Sequence, residues 1–447
     1  SRHGGPANAR SSPSSSSVTP CGASGRGFGA RSVHGFDLTF CAPKSVSVVR
    51  ARGDDVIGKA VADAHAHAIA AAMEYLAQHA GYTRTHNPVT GAKDLVRLPA
   101  IVAASFQHET SRAGDPHLHT HVLVPNRQAR ADGSLVSIDG TSLYHEARAA
   151  GMIYQATLRR EMTRSMGIEW GAVDAHTGMA EIAGVSRADI GAWSQRATQL
   201  HEWAQGNLVI DGHPATPAQL AAAQKATRPR KPEGLSWGQL RAQWAADERG
   251  FRVDRQAQQV VRAARRSAVV DCPAAVGQAV RAGLKAATFT RADLVEAIGA
   301  RLPVDEADAR DPRTVIEGLV DLIALRVDDE RQPHQREGSV RYTAADLIAE
   351  EAAILELMGG RDRRAALPVV DTAGLSAEQG RAITAIATSD RLVAPLSAPA
   401  GAGKTHSLRA LRAAAEAAGR RVVVAAPTGR AVDVAVREGA GNTGATI

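Results

Sequence analysis

The first hydrophobic and polar patterns along the chain predict a strand and a long helix. Residues 37–49, with the sequence DLTFCAPKSVSVV, are rich in β-forming side chains, but Pro43 has no N–H to donate to a strand ladder. This run therefore predicts a strand, a bend, and then either a strand or the start of a helix. Residues 56–81 are alanine-rich with apolar positions at every third or fourth residue, which predicts a helix that ends at Gly81.

Two β-type runs follow this helix. Residues 95–108 and 117–124 alternate polar and apolar side chains or are β-branched, and the loop SRAGDP between them is typical of a hairpin turn. A second helix is predicted at about residues 143–166. The first 250 residues therefore predict an α/β domain with an antiparallel sheet.

The pattern changes in the second half of the chain. Residues 255–368 contain amphipathic stretches such as RADLVEAIGARL and AADLIAEEAAILELM, which predict a helical connector. Residues 385–447 predict a strand (RLVAPL), a glycine loop, a helix (HSLRALRAAAEAAG) and another strand (RVVVAAP). This βαβ order is typical of a parallel sheet.

The patterns divide the chain into four regions. At roughly 150 residues per domain, 447 residues suffice for about three folded domains. The regions are a Ser/Gly/Pro-rich segment that we expect to be disordered, an α+β domain, a helical connector and the first part of a parallel α/β domain, at residues 1–30, 31–254, 255–368 and 369–447. Because the chain starts without a methionine and stops within the βαβ pattern, we expect it to be a fragment.

Composition narrows the class of protein. Hydrophobic residues make up 44% and charged residues 22%, which excludes a collagen-like or wholly disordered chain. The net charge of +7 favours a phosphate-bearing partner but does not prove one. Three widely spaced cysteines argue against a disulfide framework or a CxxC metal site. Because no apolar stretch of about 18 residues occurs, we expect a cytoplasmic protein without a membrane span.

A cluster of histidines is the first candidate for chemistry. The segment HETSRAGDPHLHTH contains His108, His117, His119 and His121. Residues two apart on a strand point to the same side, so His119 and His121 project together, and a hairpin partner brings His108 beside them. Three neutral imidazoles suit a divalent metal and leave coordination positions open for substrate.

The spacing of the histidines leaves alternatives open. His117 shares the alternation and is a possible substitute ligand. Histidine pairs also arise by chance, as His65 and His67 illustrate on a predicted helix. Solvated hairpin histidines are therefore the alternative to a metal site.

Two longer segments resemble a known family. DLTFCAPKSVS at 37–47 and HETSRAGDPHLHTHVLVPN at 108–126 resemble the sequence signature of MobF (TrwC-type) conjugative relaxases, which belong to the HUH endonuclease superfamily. The resemblance extends more loosely through residues 188–204 to 240–251, about half of the chain. It implies a protein that binds single-stranded DNA at an origin of transfer, where a tyrosine attacks one phosphodiester, with conjugation accessory and coupling proteins as further partners.

The resemblance assigns roles to individual residues. It implies that His108, His119 and His121 are the ligands of a divalent metal, Mg²⁺ or Mn²⁺, which polarises the scissile phosphate. It also implies that Asp37 accepts a hydrogen bond from a ligating histidine and fixes the orientation of that ring. The alternative for Asp37 is an ordinary residue of a turn or strand edge.

The nucleophile is where the chain departs from this family. The family carries its catalytic tyrosines upstream of the DLTF segment, and residues 1–36 contain no tyrosine. The tyrosines of the chain all lie downstream, namely Tyr75, Tyr82, Tyr144, Tyr154 and Tyr342. We therefore expect that the nucleophilic tyrosine is not present, and that the chain as written binds DNA without cleaving it.

A phosphate-binding loop is the second candidate. In SAPAGAGKTH at 397–406, Gly401 and Gly403 allow backbone amides to approach phosphate oxygens, Lys404 reaches the β- and γ-phosphates, and Thr405 ligates Mg²⁺. Ala398 stands where the strict motif has glycine. The alternative is an ordinary Gly/Ala turn between a strand and a helix.

The segments around this loop carry a second resemblance. LSAEQGRAI at 375–383 and APTGRAVDVA at 426–435 resemble RecD-like superfamily-one helicases. The resemblance implies a RecA-like domain that uses ATP with Mg²⁺, in which Gln379 recognises adenine. The chain stops before any Walker B acidic pair, so we do not expect this chain to hydrolyse ATP.

Together, these observations predict a fragment of a conjugative relaxase-helicase that performs metal-dependent nicking of single-stranded DNA coupled to an ATP-dependent helicase. The predicted fold is an α+β relaxase domain with a central antiparallel sheet flanked by helices, a helical connector and the start of a P-loop RecA-like parallel α/β domain. The first alternative is a non-catalytic remnant that binds DNA and metal. The second alternative is a P-loop ATPase whose histidines are structural.

Overall fold

The computed structural model describes residues 32–208, 216–227, 234–267, 277, 280–284, 286–304, 309–367, 370–399 and 401–447. The segment 1–30, which we expect to be disordered, lies outside the described residues. The chain divides into two compact units, Ser1–Thr343 and Ala344–Ile447. The domain boundaries expected at 254/255 and 368/369 remain predictions.

The first unit combines antiparallel strands with helices. Its described strands are β1 (Gly35–Cys41), β2 (Tyr82–His86), β3 (Lys93–Arg97), β4 (Ala104–Thr110), β5 (Pro116–Pro125), β6 (Gln128–Ala129), β7 (Leu135–Val136), β8 (Leu325–Arg326) and β9 (Tyr342–Thr343). Its described helices are α1 (Lys44–Arg52), α2 (Asp55–Ala80), α3 (Gly140–Met166), α4 (Arg187–Ala192), α5 (Gln195–Asn207), α6 (Pro217–Ala226), α7 (Trp237–Ala245), α8 (Arg255–Ser267), α9 (Arg291–Gly299) and α10 (Pro312–Ile323).

Strand β5 is the centre of the sheet. It pairs antiparallel with β1 on one side and with β4 on the other, so the predicted hairpin is confirmed for β4 and β5. The prediction of one continuous run over residues 95–108 is wrong in its first part, because Leu95 lies in β3, which pairs with β2 instead. Pro99 separates β3 from β4, since it has no N–H to donate to a ladder.

Alternation along β5 gives the sheet two different faces. Leu118, Thr120, Val122 and Val124 are buried on one face, whereas the histidines between them are only half-buried on the other. A period of two residues is what places these two sets on opposite sides of a strand. The buried side is called the back face below, and the side with the histidines the front face.

The two long helices confirm the predictions made for them. Helix α2 ends before Gly81, and Asp54 begins it by accepting a hydrogen bond from the Ile57 backbone N–H. Helix α3 starts at Gly140, slightly before the predicted residue, because the Asp139 side chain accepts from the Ser142 N–H. Buried alanines on α2, such as Ala68 and Ala72, let the two helices pack closely.

The segment after Pro43 resolves the alternative that the sequence left open. Residues Lys44–Arg52 form helix α1 rather than a strand, with Pro43 as the residue that precedes the first helical turn. Pro43 has a φ of −53°, which suits entry into a helix and explains why the strand ends here.

Tryptophans join α1 to the later helices of this unit. Trp193 and Trp244 are fully buried and pack with Val48 and Ala51 of α1. Trp193 Nε1 donates to the carbonyl of Gly250 at 3.2 Å, which satisfies its N–H within the core. The end of α4 and helix α7 are thereby packed against α1.

Part of the region expected to be a connector packs onto α2 and α3. His79 of α2 hydrogen-bonds Glu317 of α10 at 2.9 Å and Glu337 at 2.8 Å. Arg336 hydrogen-bonds Asp139, the residue that caps α3. These contacts place residues up to Thr343 in the same unit as the sheet.

The second unit has the parallel pairing that the sequence predicts. Its described elements are α11 (Ala345–Gly359), α12 (Ala377–Ala387), α13 (Lys404–Ala417), β10 (Val423–Ala426), α14 (Gly429–Arg437) and β11 (Thr443–Thr446), and β10 pairs parallel with β11. The strand predicted at residues 391–396 is wrong, because only Arg391 makes a single bridge, to Arg361. A strand needs a continuous ladder partner, which this segment lacks among the described residues.

No described helix combines the length and apolar character needed to cross a membrane.

Candidate functional site

Three histidines converge on the front face of the sheet. His108 of β4 lies directly opposite His119 of β5, and His121 is two residues further along β5. One ring nitrogen from each histidine lies within 4.8 Å of the other two. The structure therefore brings together the three residues expected as metal ligands, which we call the histidine triad.

Hydrogen bonds at Nδ1 orient two of these rings. His119 Nδ1 is 2.8 Å from the carbonyl oxygen of His117, and His121 Nδ1 is 2.9 Å from both carboxylate oxygens of Asp37. Because both partners are acceptors, each Nδ1 carries the proton and Nε2 keeps its lone pair. Nε2 is consequently the atom that His119 and His121 offer to a metal.

Strand register explains why Asp37 reaches His121. Thr39 of β1 lies directly opposite His121, and Asp37 is two residues away on the same face. Thr39 also contributes, because its hydroxyl is 3.1 Å from His121 Nδ1. The position of Asp37 is that of a residue that orients a ligand.

Burial keeps part of this cluster neutral. Burial lowers the pKa of His119, and it lowers the pKa of His117 to about 3. A neutral imidazole has the free lone pair that a metal requires, whereas a protonated ring repels a cation. The donor set therefore fits a divalent cation.

His117 contacts His119 through both its ring and its backbone. Its ring packs against His119 with a centroid distance of 4.6 Å, and its backbone carbonyl accepts the His119 N–H. Among the described residues, the group able to hold a metal consists of the histidine triad alone. His117 thus contacts the triad without being part of it, and its role as a substitute ligand remains an alternative prediction.

A buried polar network lies behind the triad. Thr120, between His119 and His121, points to the back face, where its hydroxyl is 2.8 Å from His65 Nε2. His65 Nδ1 is 2.8 Å from the Tyr154 hydroxyl, and all three side chains are buried. Sequence reasoning missed this role, although His65 follows Val61 and precedes Ala68 on the buried stripe of α2.

The turn of the histidine hairpin is also fixed. Asp115 is 1% exposed, accepts the Gln195 N–H at 2.8 Å and pairs with Arg249 at 2.8 Å. Trp244 Nε1 donates to the carbonyl of Gly114 at 2.9 Å. Residues from α5 and beyond therefore hold the turn of the hairpin that carries the histidine triad.

A cavity of about 620 Å³ opens beside His117 and His119. Its lining includes the basic side chains of Lys44, Arg112, Arg196 and Lys225, and one acidic side chain, Asp115. We call it the basic cavity. An excess of positive charge next to a candidate metal site suits a polyanion.

Three of the five tyrosines are buried. Tyr75, Tyr82 and Tyr154 are buried, and burial raises the pKa of each phenol. Tyr144 is 86% exposed on α3, and Tyr342 lies in β9. The expectation that none of them is the nucleophile remains a prediction.

The phosphate loop has the backbone form expected of it. Gly401 and Gly403 have φ values of +78° and +72°, which residues other than glycine rarely adopt, and α13 begins at Lys404. Lys404 Nζ donates to the carbonyls of Ala398 and Pro399 at 3.0 and 2.9 Å. Thr405 occupies the first turn of α13.

Gln379 contacts the same loop. Its side-chain amide donates to the carbonyl of Ala402 at 2.9 Å, and its carbonyl oxygen accepts the Ser376 N–H at 2.9 Å. The structure therefore brings Gln379 to the residues predicted to bind nucleotide, and its role in recognising adenine remains a prediction.

Comparison with known proteins decides the family. Residues 4–250, more than half of the chain, match the model of the TrwC relaxase family. The chain belongs to the TrwC relaxase family. Residues 374–447 match the model of an AAA domain. Both resemblances, and the predicted fold class, are confirmed.

Two curated relatives of the TrwC family chain come from Escherichia coli. Both are described as multifunctional conjugation protein TraI, with 36% identity over 176 residues in one case and 34% over 176 residues in strain K12. Each alignment covers 38% of this chain and 9% of the relative. The chain therefore matches less than a tenth of the length of these proteins.

Solved structures of the conjugative relaxase TrwC are also similar. A copper-bound complex with oriT DNA has 29% identity and a TM-score of 0.43, and covers 49% of this chain and 72% of that one. A complex with a 27-mer DNA that comprises the recognition hairpin and the cleavage site has 30% identity and a TM-score of 0.43, and covers 49% and 75%.

Proposed function

We propose that this protein is a conjugative relaxase-helicase that nicks single-stranded DNA at an origin of transfer in a metal-dependent reaction. The observation that carries the proposal is the convergence of three histidine nitrogens within 4.8 Å on a hairpin whose neighbouring strand contributes Asp37. Membership of the TrwC relaxase family supports it. A divalent cation, Mg²⁺ or Mn²⁺, is the proposed cofactor.

A metal bound at the triad supplies a Lewis acid for a phosphodiester oxygen. The protein's own residues prepare the site for this chemistry. Asp37 holds His121 in one tautomer, and the His117 carbonyl does the same for His119. The basic cavity beside His117 and His119 attracts a phosphate of the DNA next to the reacting bond.

The second unit is proposed to bind ATP with Mg²⁺ as part of the helicase. The positive φ values of Gly401 and Gly403 support backbone contacts to phosphate, and the position of Lys404 at the start of α13 supports a contact to the β- and γ-phosphates. Thr405 is the proposed magnesium ligand. Conjugation accessory and coupling proteins are the proposed further partners.

A binding-only protein is the second candidate function. The observation that favours it is the setting of the tyrosines, since Tyr75, Tyr82 and Tyr154 are buried. In that case the chain binds metal and DNA without forming a covalent bond to DNA.

The test uses single-stranded oligonucleotides that tile the DNA flanking the gene. The full chain is incubated with each oligonucleotide in Mn²⁺ or in a chelator, and binding and covalent protein–DNA products are measured separately. Metal-dependent covalent products support the nicking function, and metal-dependent binding without them supports the binding-only function. Binding that is indifferent to metal and to His121→Ala contradicts both.

A further inference from the structure

An apolar strip continues the row of metal ligands along the front face. Phe106 lies directly opposite His121 and two residues before His108, so its ring shares the face of the triad. Leu123 is two residues beyond His121 on the same face. Phe106 is 51% exposed and Leu123 is 41% exposed, and we call these two residues the apolar strip.

The two faces of the hairpin differ in how well their apolar side chains are covered, and Phe106 lies on the open face. The back face of the same hairpin buries Val122 and Val124 almost completely, so apolar side chains of β5 are covered where the fold supplies a cover. An aromatic ring left half open beside a candidate metal site is the kind of apolar surface that marks a binding site. Its occupant has to be compatible with a neighbouring metal.

The surroundings of the triad identify the occupant. The basic cavity lies at the hairpin-turn end of the triad, beside His117 and His119, and the apolar strip lies at the other end. Single-stranded DNA presents phosphates and flat bases in alternation, and aromatic side chains bind its bases by stacking. A basic, a metal-binding and an apolar surface follow one another along one hairpin, and this order complements single-stranded DNA.

We infer that Phe106 is a stacking platform for a nucleobase beside the phosphate held at the triad, while the basic cavity holds a phosphate on the other side. This inference rests on the proposed function and adds a positioning residue to it. Stacking is tolerant of base identity because every base has a π-face, so Phe106 contributes affinity and position rather than sequence readout. Leu123 extends the apolar contact.

The test measures affinity with two probes, a fluorescent 20-mer of thymidine and a 20-mer of abasic sites with the same backbone charge. Phe106→Ala is expected to weaken binding of the thymidine probe by about five- to 150-fold and to leave the abasic probe unchanged. Phe106→Trp is expected to retain affinity, and Phe106→Leu to lose most of it. The dependence of affinity on salt should stay the same in all three.

Arg196→Ala provides the contrasting variant, because Arg196 lines the basic cavity. It is expected to weaken binding of both probes and to reduce the salt slope by about one. Val89→Ala, at a 91% exposed position in a turn, is the matched control for loss of an exposed apolar side chain.

Equal loss for both probes in Phe106→Ala, or no loss for either, overturns the inference. A change in oligomeric state without a change in DNA affinity overturns it as well and assigns the apolar strip to a protein interface. The proposed function is tested by different measurements, the reaction of the His121→Ala variant and the reaction of the wild-type protein in the presence of a chelator. Phe106→Ala protein that still binds Mn²⁺ demonstrates that the triad is intact in the variant.

Discussion

The histidine triad and the phosphate loop are built in opposite ways. The triad collects side chains from β4 and β5 and an orienting carboxylate 84 residues away on β1. The phosphate loop comes from one continuous stretch of chain, and its lysine bonds to carbonyls five and six residues earlier. The first site therefore depends on the packing of a whole unit, whereas the second depends mainly on local backbone conformation.

The contrast extends to what lies behind each site. The hairpin of the triad is braced by His65 on the back face and by Arg249 and Trp244 at its turn. The phosphate loop has fewer described long-range side-chain contacts, from Gln379 to the Ala402 carbonyl and from His406 to the Gly374 carbonyl. We therefore expect the metal centre to respond to changes at distant positions and the phosphate loop to respond chiefly to changes within it.

Removing a ligand gives the largest expected effect. His119→Ala is expected to lower the affinity for Mn²⁺ by about 100-fold or more. Only two imidazoles remain to bind the metal, and removing a ligand lowers the affinity more than removing a residue that only orients a ligand. Isothermal titration with Mn²⁺ measures this, with circular dichroism to check folding. His67→Ala removes a half-exposed helical histidine as the control, and equal affinities in the two variants would refute the ligand assignment.

Changing the orienting carboxylate gives the next effect. Asp37→Asn keeps the shape of the side chain but removes the charge that faces His121 Nδ1, so a fall in Mn²⁺ affinity of about 10- to 100-fold is expected. The control is Asp63→Asn, at an exposed position on α2. An unchanged affinity in Asp37→Asn would mean that the carboxylate does not tune the site.

The phosphate loop is tested by Lys404→Ala. Loss of a charged donor to phosphate is expected to weaken binding of a fluorescent ATP analogue by at least about tenfold, while Mn²⁺ binding at the triad stays the same. Lys59→Ala removes an exposed lysine as the control. A change in Mn²⁺ affinity caused by Lys404→Ala would contradict the independence of the two sites.

The smallest effect concerns pH and stability. Burial alone lowers the pKa of His79, but hydrogen bonds to Glu317 and Glu337 outweigh it and raise the pKa above the ordinary value of 6.5. A raised folded pKa means that the stabilisation is complete below about pH 6.5 and is lost as pH rises through the folded pKa. The unfolding temperature of the first unit should therefore fall above neutral pH by about 2–4 °C for each kcal/mol lost.

The His79→Gln variant isolates this contribution. Glutamine keeps a polar side chain between the two carboxylates but does not titrate. The variant should therefore unfold at a lower temperature than the wild type at low pH, and its unfolding temperature should change less with pH. Differential scanning calorimetry at several pH values measures both curves. Parallel curves for the two proteins would show that His79 is not the titrating group.

Local patterns in the sequence determined the helices α2 and α3, the histidine hairpin and the glycine loop. Each of these depends on side-chain periodicity or on glycine and proline at particular positions, which act within a few residues. The same locality explains the errors. Residues 391–396 have β-forming side chains but no ladder partner among the described residues. Pro99 divides residues 95–108, which the side-chain pattern predicted as one continuous run.

Tertiary structure alone decided how the side chains around the histidine triad are held in place. Register between β1 and β5 brought Asp37 to His121, and packing of α2 against the back face gave His65 its contact with Thr120. Folding of the later helices onto the hairpin turn gave Asp115 its partners. These contacts join residues that are 55 or more positions apart. Their geometry depends on the whole packed core, so no local pattern encodes it.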